Sequence, residues 1–485
     1  MIFATFTKKT LALALLSIVP ALAHAAPQSN AWQMMTRADA NFVGDWMLRQ
    51  SIGAVYPDAD AYSARLTQAR RILEQELPHV DNYQGYRHAL NHFVGSFQDM
   101  HLSVAYALSP NAYQWPGFSA VYRNLRYYTA ASKGAISDGQ EISECDGRPM
   151  ASWIRGIATY EQMIFDLEST SAEAAPLIFR DAGNPFLPRP KSCTIGGKQI
   201  ALAWGAIPAS QINAAVNALT PPPDRLTAIS AFGADGAWVR MGIFLPGTQN
   251  EGLAFKQLFA EAPGLRSKSV IVLDVRGNGG GPYEWFMGFL RALYGGQYTD
   301  YYARARLGIS AVFRLTPEIL AYFNEDVAAE TDALVPPPDG ERFDPHNTEF
   351  AAALKAGKPL LVAPKKASQI PQPRQAPANP VKAKVYVLTD YSCASACIAF
   401  VDELKRFPGV EQIGVDTSVD SRTGTPFGTP LPSGNGTVYV PVMTRDGRER
   451  DDNVPQKPTR VFTGNINDTA AVKAWLQADV LPSRP

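Results

Sequence analysis

The chain has 485 residues, of which 46% are hydrophobic and 19% are charged, with 45 basic and 45 acidic side chains. This length and composition predict a globular protein of two or three domains with a sizeable hydrophobic core. The formal net charge of zero argues against a nucleic-acid-binding protein, because such proteins carry an excess of basic side chains.

The first 25 residues are typical of a secretory signal. Lys8 and Lys9 precede an apolar run at 10–23, and residues 23–25 have the small–x–small form that a signal peptidase recognises. The run is shorter than the roughly 20 residues that a transmembrane helix needs. We therefore expect a mature chain that begins near Ala26 and has no membrane attachment. We expect it in the periplasm of a Gram-negative bacterium, or secreted beyond it.

Residues 26–115 are predicted to form a helical N-terminal region. Apolar residues recur among charged ones at helical spacing over 59–77 and 85–97. The spacing changes towards alternation just after this, which places His101 at the boundary between two elements.

Residues 116–215 are predicted to be mostly β-structure. The stretch 136–150 contains strand residues interrupted by Asp-Gly pairs, which mark turns, and 200–207 has the character of another strand. The first of these stretches resembles the PDZ-domain pattern GD-x-I-x-x-x-(D/N)-G. The resemblance implies a PDZ-like domain that binds an extended peptide along a strand edge.

Two later stretches share the order strand, turn of small residues, helix. One lies at 269–293 and carries four glycines in its turn, and the other lies at 382–404 and carries Ser395. Repeated units of this kind favour βαβ construction around a largely parallel sheet.

We assign residues 216–485 to this βαβ unit, after a proline-rich linker at 220–224. Residues near 300–380 are rich in proline and are predicted to be an irregular insertion, for which a lid over the site is one interpretation. Residues 468–481 are predicted to form a closing helix.

Ser395 lies at the turn before the second of the two predicted helices. Backbone N–H groups at a helix N-terminus are unpaired, and with the helix dipole they stabilise negative charge. A serine there is suited to act as a nucleophile whose attack on a carbonyl creates an oxyanion. The alternative is that the hydroxyl only caps the helix.

The four cysteines are Cys145, Cys193, Cys393 and Cys397. An even number in an exported protein favours disulfides, and Cys145–Cys193 and Cys393–Cys397 are the pairs we consider. The second pair needs a sharp turn around Ser395. Four buried thiols are the alternative, and a reduced Cys393 or Cys397 would be a rival nucleophile. No histidine lies at ligand spacing near any cysteine, so we expect no metal.

Two motifs resemble those of the C-terminal processing, or tail-specific, serine peptidase family. Residues 272–281, VLDVRGNGGG, are similar to the LDLRGNGGG of that family. Residues 389–400, followed by 413–417, are similar to its serine motif and the GExT segment behind it. The glycines do not form a phosphate-binding P-loop, because no Lys-Ser or Lys-Thr follows them.

The resemblance implies an α/β fold with a ClpP/crotonase-like βαβ core, an N-terminal helical region and a PDZ-like β-rich domain. It places Ser395 on the nucleophile and Ala396 on one donor of the oxyanion hole. Gly279 or Gly280 falls on the other donor, where the missing side chain lets backbone N–H groups approach a substrate carbonyl. The alternative for the glycines is a tight turn without a catalytic role.

The sequence departs from the Ser–Lys pair that is usual in this family. Asp420 stands where the family has its lysine, and Ile398 stands where a glutamate follows the serine motif. Asp99-Met100-His101 instead resembles the D-x-H of a branch with the tricorn core peptidases and retinoid-binding relatives. His101 is therefore predicted to be the general base, because imidazole titrates near neutrality. The alternative is a core or solvated histidine.

A carboxylate that orients His101 would complete a triad. Measured back from Pro455, Glu449 falls on the glutamate of the family's EGxGVxPD segment and is the first candidate. Asp451, Asp452 and Asp99 are the other candidates.

These observations predict an exported serine peptidase that cleaves peptide bonds through an acyl-enzyme. The expected partner is a peptide or protein substrate, with no nucleic acid and no cofactor, and the oligomeric state is left open. Two alternatives remain: a catalytically inactive peptide-binding protein on the same fold, and an esterase that uses the same residues.

Overall fold

The computed structural model describes residues 27–219, 225–303, 308–324, 347–363 and 375–481. The predicted signal at 1–25 and the predicted linker at 220–224 lie outside the described residues, as does much of the insertion predicted near 300–380.

The main helices are mostly two to five turns long. They are α1 (Pro27–Gln50), α2 (Ala59–Glu76), α3 (Tyr83–Gly95), α4 (Met150–Tyr160), α5 (Glu168–Ile178), α6 (Ala209–Leu219), α7 (Gln249–Glu261), α8 (Tyr283–Tyr294), α9 (Gly296–Tyr302), α10 (Asn347–Lys355), α11 (Ala396–Leu404) and α12 (Thr469–Trp475).

The strands are short except for two late ones. They are β1 (Ser103–Tyr106), β2 (Ala112–Trp115), β3 (Ser119–Arg123), β4 (Arg126–Ala130), β5 (Ile142–Cys145), β6 (Arg148–Pro149), β7 (Ser192–Ile195), β8 (Lys198–Ala201), β9 (Gly205–Pro208), β10 (Thr227–Phe232), β11 (Gly236–Met241), β12 (Val270–Asp274), β13 (Ser310–Arg314), β14 (Leu360–Val362), β15 (Lys384–Thr389), β16 (Val410–Gly414), β17 (Thr423–Pro430), β18 (Gly436–Asp446) and β19 (Arg460–Val461).

A six-stranded sheet in the order β10-β11-β12-β15-β16-β19 holds the two strand–helix units. Its strands run parallel except for β10, which pairs with β11 in the antiparallel sense. Every residue of β12 is buried, as expected for a parallel strand that is covered on both faces. The largely parallel sheet predicted from the two repeated units is therefore confirmed.

Alternate residues of β12 pack into two different cores. Ile271 and Leu273 pack with residues of α8 and α11 on one face, while Val270 and Val272 pack with residues of α12 on the other. Because β12 and β15 are adjacent and parallel, the turns that follow them lie side by side at one edge of the sheet. These are the turns that carry the glycines and Ser395.

A second sheet joins early and late parts of the chain. Its order is β1-β18-β13-β14, with β17 also paired to β18. Helices α1 to α3 pack against it, in a core that includes Val94, Val104, Phe313 and Val440. Since β1 begins two residues after His101, this pairing places the His101 segment beside β17 and β18.

Part of the predicted insertion has regular structure. The strands β13 and β14 pair with each other and extend the second sheet, and α10 lies between them in the chain. The prediction of an irregular segment was wrong for these residues, because β13 is only five residues long and its burial does not alternate regularly, which leaves little strand signal in the sequence.

The segment 116–215 combines a β3–β4 hairpin with a four-stranded sheet, β6-β5-β7-β8, around a separate core. The expectation of mostly β-structure missed α4 and α5, which cover this core. In α4 the apolar residues Met150, Trp153, Ile154 and Ala158 recur at helical spacing, so the signal was present in the sequence. An α/β core with an N-terminal helical region and a β-rich domain is confirmed, whereas the exact domain boundaries stay predictions.

Both considered cysteine pairs form disulfides in the structure. Cys145 and Cys193 face each other on the antiparallel strands β5 and β7, and Cys393 and Cys397 lie around the Ser395 turn. Among the described residues no cysteine is free, and no helix has the length and apolarity to cross a membrane.

Replacing Cys145 and Cys193 by serine should lower the free energy of unfolding by about 4 kcal/mol, because the bridge closes a loop with a sequence separation of 48. The control is the Cys393→Ala/Cys397→Ala pair, whose separation of 4 predicts a loss of about 2 kcal/mol. Urea unfolding monitored by fluorescence measures both. Equal losses would contradict a loop-entropy origin of the difference.

Candidate active site

The Ser395 turn connects β15 to α11. Ser395 has φ 52° and ψ −119°, and a non-glycine residue held in such a sparsely populated region costs about 1–3 kcal/mol. Its hydroxyl makes no capping hydrogen bond, and the residue is partly exposed. Ser395 therefore occupies the N-cap position, but the interpretation that its hydroxyl caps the helix is wrong, and the hydroxyl is left for another role.

The disulfide across this turn removes the rival nucleophiles. Cys393 and Cys397 are bonded to each other and are fully buried, so neither offers a thiolate. The bridge joins the residue two positions before Ser395 to the residue two positions after it, and so fixes the turn covalently.

Asn278 connects the glycine loop to the Ser395 turn. Its backbone carbonyl accepts the N–H of Ala394 at 3.1 Å, and its side-chain oxygen accepts the N–H of Gly280 at 2.8 Å. Its amide nitrogen donates to the carbonyl of Met241 at 3.0 Å. Asn278 is fully buried, so all three hydrogen bonds are shielded from water.

Asp390 supports the same junction from the end of β15. Its carboxylate accepts the N–H of Gly277 at 3.0 and 2.9 Å, and the N–H of Ser392 at 3.1 Å. Burial raises the pKa of the Asp390 carboxyl, and the two backbone donors oppose that shift. The sequence reasoning passed over both Asn278 and Asp390, although each lies inside a motif that it identified.

Gly280 brings the two turns into contact. A Cβ atom built on Gly280 would lie 2.8 Å from the N of Ala396 and 2.9 Å from the Cβ of Ser395. Gly280 also has φ 105°, which only glycine adopts readily. The structure thus brings Gly280, Ser395 and Ala396 together, and no larger residue fits at position 280.

Two backbone donors of the glycine loop and the Ser395 turn differ from Gly280 in having no acceptor. The N–H of Gly280 already donates to Asn278, whereas the N–H groups of Gly279 and Ala396 have no acceptor among the described residues. Ala396 is the first residue of α11, where an N–H has no partner within its helix. Of the two glycines, Gly279 is therefore the one with a donor to offer an oxyanion.

His101 is held by a relay of hydroxyl groups. Its Nδ1 lies 3.1 Å from the Oγ of Ser421, and that hydroxyl donates to Asp99 Oδ1 at 2.7 Å. Thr423 also donates to Asp99, at 2.9 and 2.8 Å from its two oxygens. Direct contact between His101 Nδ1 and Asp99 is longer, at 3.8 Å.

This relay is compatible with the tautomer that a general base needs. When the Ser421 hydroxyl donates to Asp99, its oxygen accepts from the Nδ1–H of His101. In that tautomer the lone pair of the neutral imidazole is on Nε2. The Ser421 hydroxyl also lies 2.7 Å from that of Thr423.

The surroundings of His101 favour the neutral form. Its side chain is only 13% exposed. Burial lowers the pKa of the imidazole below its ordinary value, Asp99 opposes this, and the cations Arg445 and Arg448 add to it. Burial thus favours the uncharged imidazole, which is the form that can accept a proton.

The predicted orienting residue Glu449 has a different partner. Its carboxylate is 69% exposed and pairs with Arg406 at 2.7 Å. Asp452 pairs with Arg422 and Arg448. The carboxylate that the structure places beside His101 is that of Asp99, which was one of the other candidates.

A buried ion-pair network occupies the position of the missing lysine. Asp420 is 2% exposed and pairs with both Arg448 and Arg450, each at 2.7 Å. Arg450 also pairs with Asp402 of α11 at 3.1 Å. Because Asp420 precedes Ser421 and Asp402 lies on the helix that Ser395 begins, Arg450 joins the helix of the candidate nucleophile to the loop that holds His101.

Ser395 and His101 themselves do not share a hydrogen bond, although both belong to the described residues. Catalytic hydrogen bonds are often long before a substrate is bound, so the pairing of Ser395 with His101 is a matter for experiment. No cluster of three metal-ligating side chains occurs among the described residues.

Two solved structures of CPAF share this fold. Mature CPAF matches with a TM-score of 0.59 and 14% sequence identity, over 90% of this chain and 94% of that chain. CPAF complexed with lactacystin matches with a TM-score of 0.60 and 14% identity, over 92% and 97% of the two chains. The photosystem II D1 C-terminal processing protease matches over 92% and 98%, with 12% identity and a TM-score of 0.33. No protein-family model matches the sequence, and no curated protein matches it.

Replacing Gly280 by alanine should distort the junction between the two turns. The added Cβ would lie within 2.9 Å of the backbone at 394 and 396, and the positive φ costs a further 1–3 kcal/mol, roughly. We expect a lower melting temperature and loss of labelling of Ser395 by a fluorophosphonate probe.

The matched control is Gly279→Ala. A Cβ atom there meets no atom within 4 Å, and the substitution keeps the backbone N–H. It should fold normally and retain most of the labelling. Equal behaviour of the two variants would contradict the role given to Gly280.

Proposed function

We propose that this protein is an exported serine peptidase that hydrolyses peptide bonds through an acyl-enzyme. One observation carries the proposal: a strained, uncapped Ser395 lies on a turn that touches the glycine loop, and the N–H groups of Gly279 and Ala396 have no acceptor among the described residues. Its fold, shared with CPAF, and the buried imidazole of His101 beside Ser421 and Asp99 support the same assignment.

Each residue has one role in the proposed reaction. Ser395 Oγ gives its proton to His101 Nε2 and attacks the carbonyl carbon of the scissile bond. The N–H groups of Gly279 and Ala396 bind the resulting oxyanion. Imidazolium then gives the proton to the leaving amine, and His101 next takes a proton from the water that hydrolyses the acyl-enzyme.

Asp99 is the proposed orienting carboxylate, in place of Glu449. Through the hydroxyl of Ser421 it keeps the proton of the neutral imidazole on Nδ1, and its charge lies 3.8 Å from the ring when the ring is protonated. A carboxylate that orients a histidine in this way is the function of the third member in other triads.

The remaining predictions extend the proposal. The segment 116–215 acts as a PDZ-like domain that presents substrate peptides along a strand edge. The protein is exported through the signal at 1–25 and lies in the periplasm or outside the cell. Two disulfides among the described cysteines are compatible with an oxidising compartment.

A fluorophosphonate probe tests the nucleophile and the base together. The wild-type protein should be labelled, and Ser395→Ala should abolish labelling. His101→Ala should slow it by about 10²–10⁴-fold, because the proton acceptor is lost. Mass spectrometry of the labelled peptide locates the adduct, and circular dichroism verifies that each variant is folded.

Two results would contradict the proposal. A wild-type protein that reacts with neither the probe nor a random peptide library would be a binding protein on this fold. Turnover of esters without turnover of peptides would make it an esterase.

The pH dependence of labelling should report the imidazole. Burial lowers the pKa of His101, so the ring stays neutral, and able to accept a proton, to a lower pH than an exposed histidine. The labelling rate should therefore fall as pH decreases, with a midpoint below about 6.5. A midpoint at or above that value, in protein that remains folded, would show that another group is the base.

A further inference from the structure

Arg445 is a cation in the candidate site without a carboxylate partner among the described residues. Its Nη1 donates to the carbonyl of Thr423 at 3.3 Å, and its guanidinium lies 5.0 Å from the centre of the Tyr283 ring. Neither contact neutralises its charge, and the residue is partly exposed.

The other arginines around the site are all paired with carboxylates. Each of them lies within 3.1 Å of at least one acidic oxygen: Arg406, Arg422, Arg448 and Arg450. Arg445 is therefore the arginine of this group whose charge is left for something outside the described chain.

The contacts of Arg445 place it between the two halves of the site. Thr423, whose carbonyl it binds, donates to Asp99 and lies 3.5 Å from Nδ1 of His101. Tyr283 begins α8, two residues after Gly281 and the glycine loop beside Ser395. A substrate that spans the loop and the imidazole would pass this guanidinium.

We propose that Arg445 binds a carboxylate of the substrate and makes the peptidase selective for acidic peptides. This inference rests on the proposed function. A guanidinium pairs with a carboxylate through two parallel N–H···O bonds, which gives orientation as well as attraction. Stacking on Tyr283 restricts the side chain, so less conformational freedom is lost when the substrate binds.

The carboxylate has two sources in a peptide: an Asp or Glu side chain, or the chain terminus. A peptide series separates them. One set places Glu, Gln or Lys at each position around the cleavage site of a peptide that the enzyme cuts, and the other compares a free C-terminus with an amide.

In the wild-type protein, we expect kcat/KM to be at least about tenfold higher for the peptide with the carboxylate than for its neutral counterpart. If the side chain is the source, Glu exceeds Gln at one position; if the terminus is the source, the free acid exceeds the amide. Arg445→Gln should abolish the difference in kcat/KM between the two peptides. Arg445→Glu should reverse it in favour of Lys.

The matched control is Arg422→Gln. Arg422 lies on the neighbouring segment and is partly exposed, but it is paired with Asp452 at 3.1 Å. Its loss removes the same charge and should leave the selectivity intact. This comparison separates a specific carboxylate site from a general effect of positive charge near the site.

The outcomes distinguish this inference from the proposed function. If peptides are cut with equal rates whether or not a carboxylate is present, the inference is overturned and the peptidase assignment stands. If no peptide is cut and Ser395 is not labelled, the proposed function fails first. The wild-type comparison of Glu with Gln needs no variant, so misfolding of an Arg445 variant cannot obscure the result.

Discussion

The buried amide of Asn278 is the constraint on which the candidate site depends. The glycine loop and the Ser395 turn follow adjacent parallel strands, but adjacency alone brings them only into the same neighbourhood. Asn278 fixes their separation, because its carbonyl holds the Ser395 turn while its side-chain oxygen holds the N–H of Gly280. With the Gly280 donor used in this way, the N–H groups of Gly279 and Ala396, which have no acceptor among the described residues, are the donors that the proposed reaction uses. A backbone donor set of this kind needs no reorganisation when negative charge develops.

A second constraint ties the helix of Ser395 to the loop of His101. Burying a charge is costly unless it is paired, and Arg450 is buried between two carboxylates on different elements, Asp402 and Asp420. Replacing such a network by apolar residues often leaves stability unchanged, so its value lies in geometry more than in free energy. A lysine base at position 420 would be surrounded by two arginines. An aspartate at position 420, which pairs with these arginines, therefore fits with a base supplied by His101 instead of by a lysine.

The sequence predicted the elements whose signals are local. The periodicity of 59–77 and the strand before Ser395 appear in the structure within a residue or two. The resemblance to family motifs also led to Gly280, as one of two candidate oxyanion donors, and to Asp99, as one of the further candidates for the orienting carboxylate. Asp99 and Ser421 are 322 positions apart in the sequence, and hydrophobic periodicity gives no signal for a hydrogen bond between residues so distant in the chain. Glu449 was favoured because it aligns with the glutamate of a family motif. In the structure its carboxylate is exposed and pairs with Arg406 instead of His101.

The hydroxyl relay weakens the stabilisation of a positive charge on His101. A carboxylate in direct contact with imidazolium forms a charge-assisted hydrogen bond, about twice as strong as a neutral one. Here the oxygen next to Nδ1 is that of Ser421 at 3.1 Å, and the Asp99 carboxylate oxygen lies at 3.8 Å. Arg445 adds an opposing positive charge. In the proposed reaction, the imidazolium would thus be held less tightly than in a directly paired triad and would return its proton to a leaving group more readily. Binding a substrate carboxylate at Arg445 would offset that repulsion, so the same arginine would couple recognition of an acidic substrate to the basicity of His101.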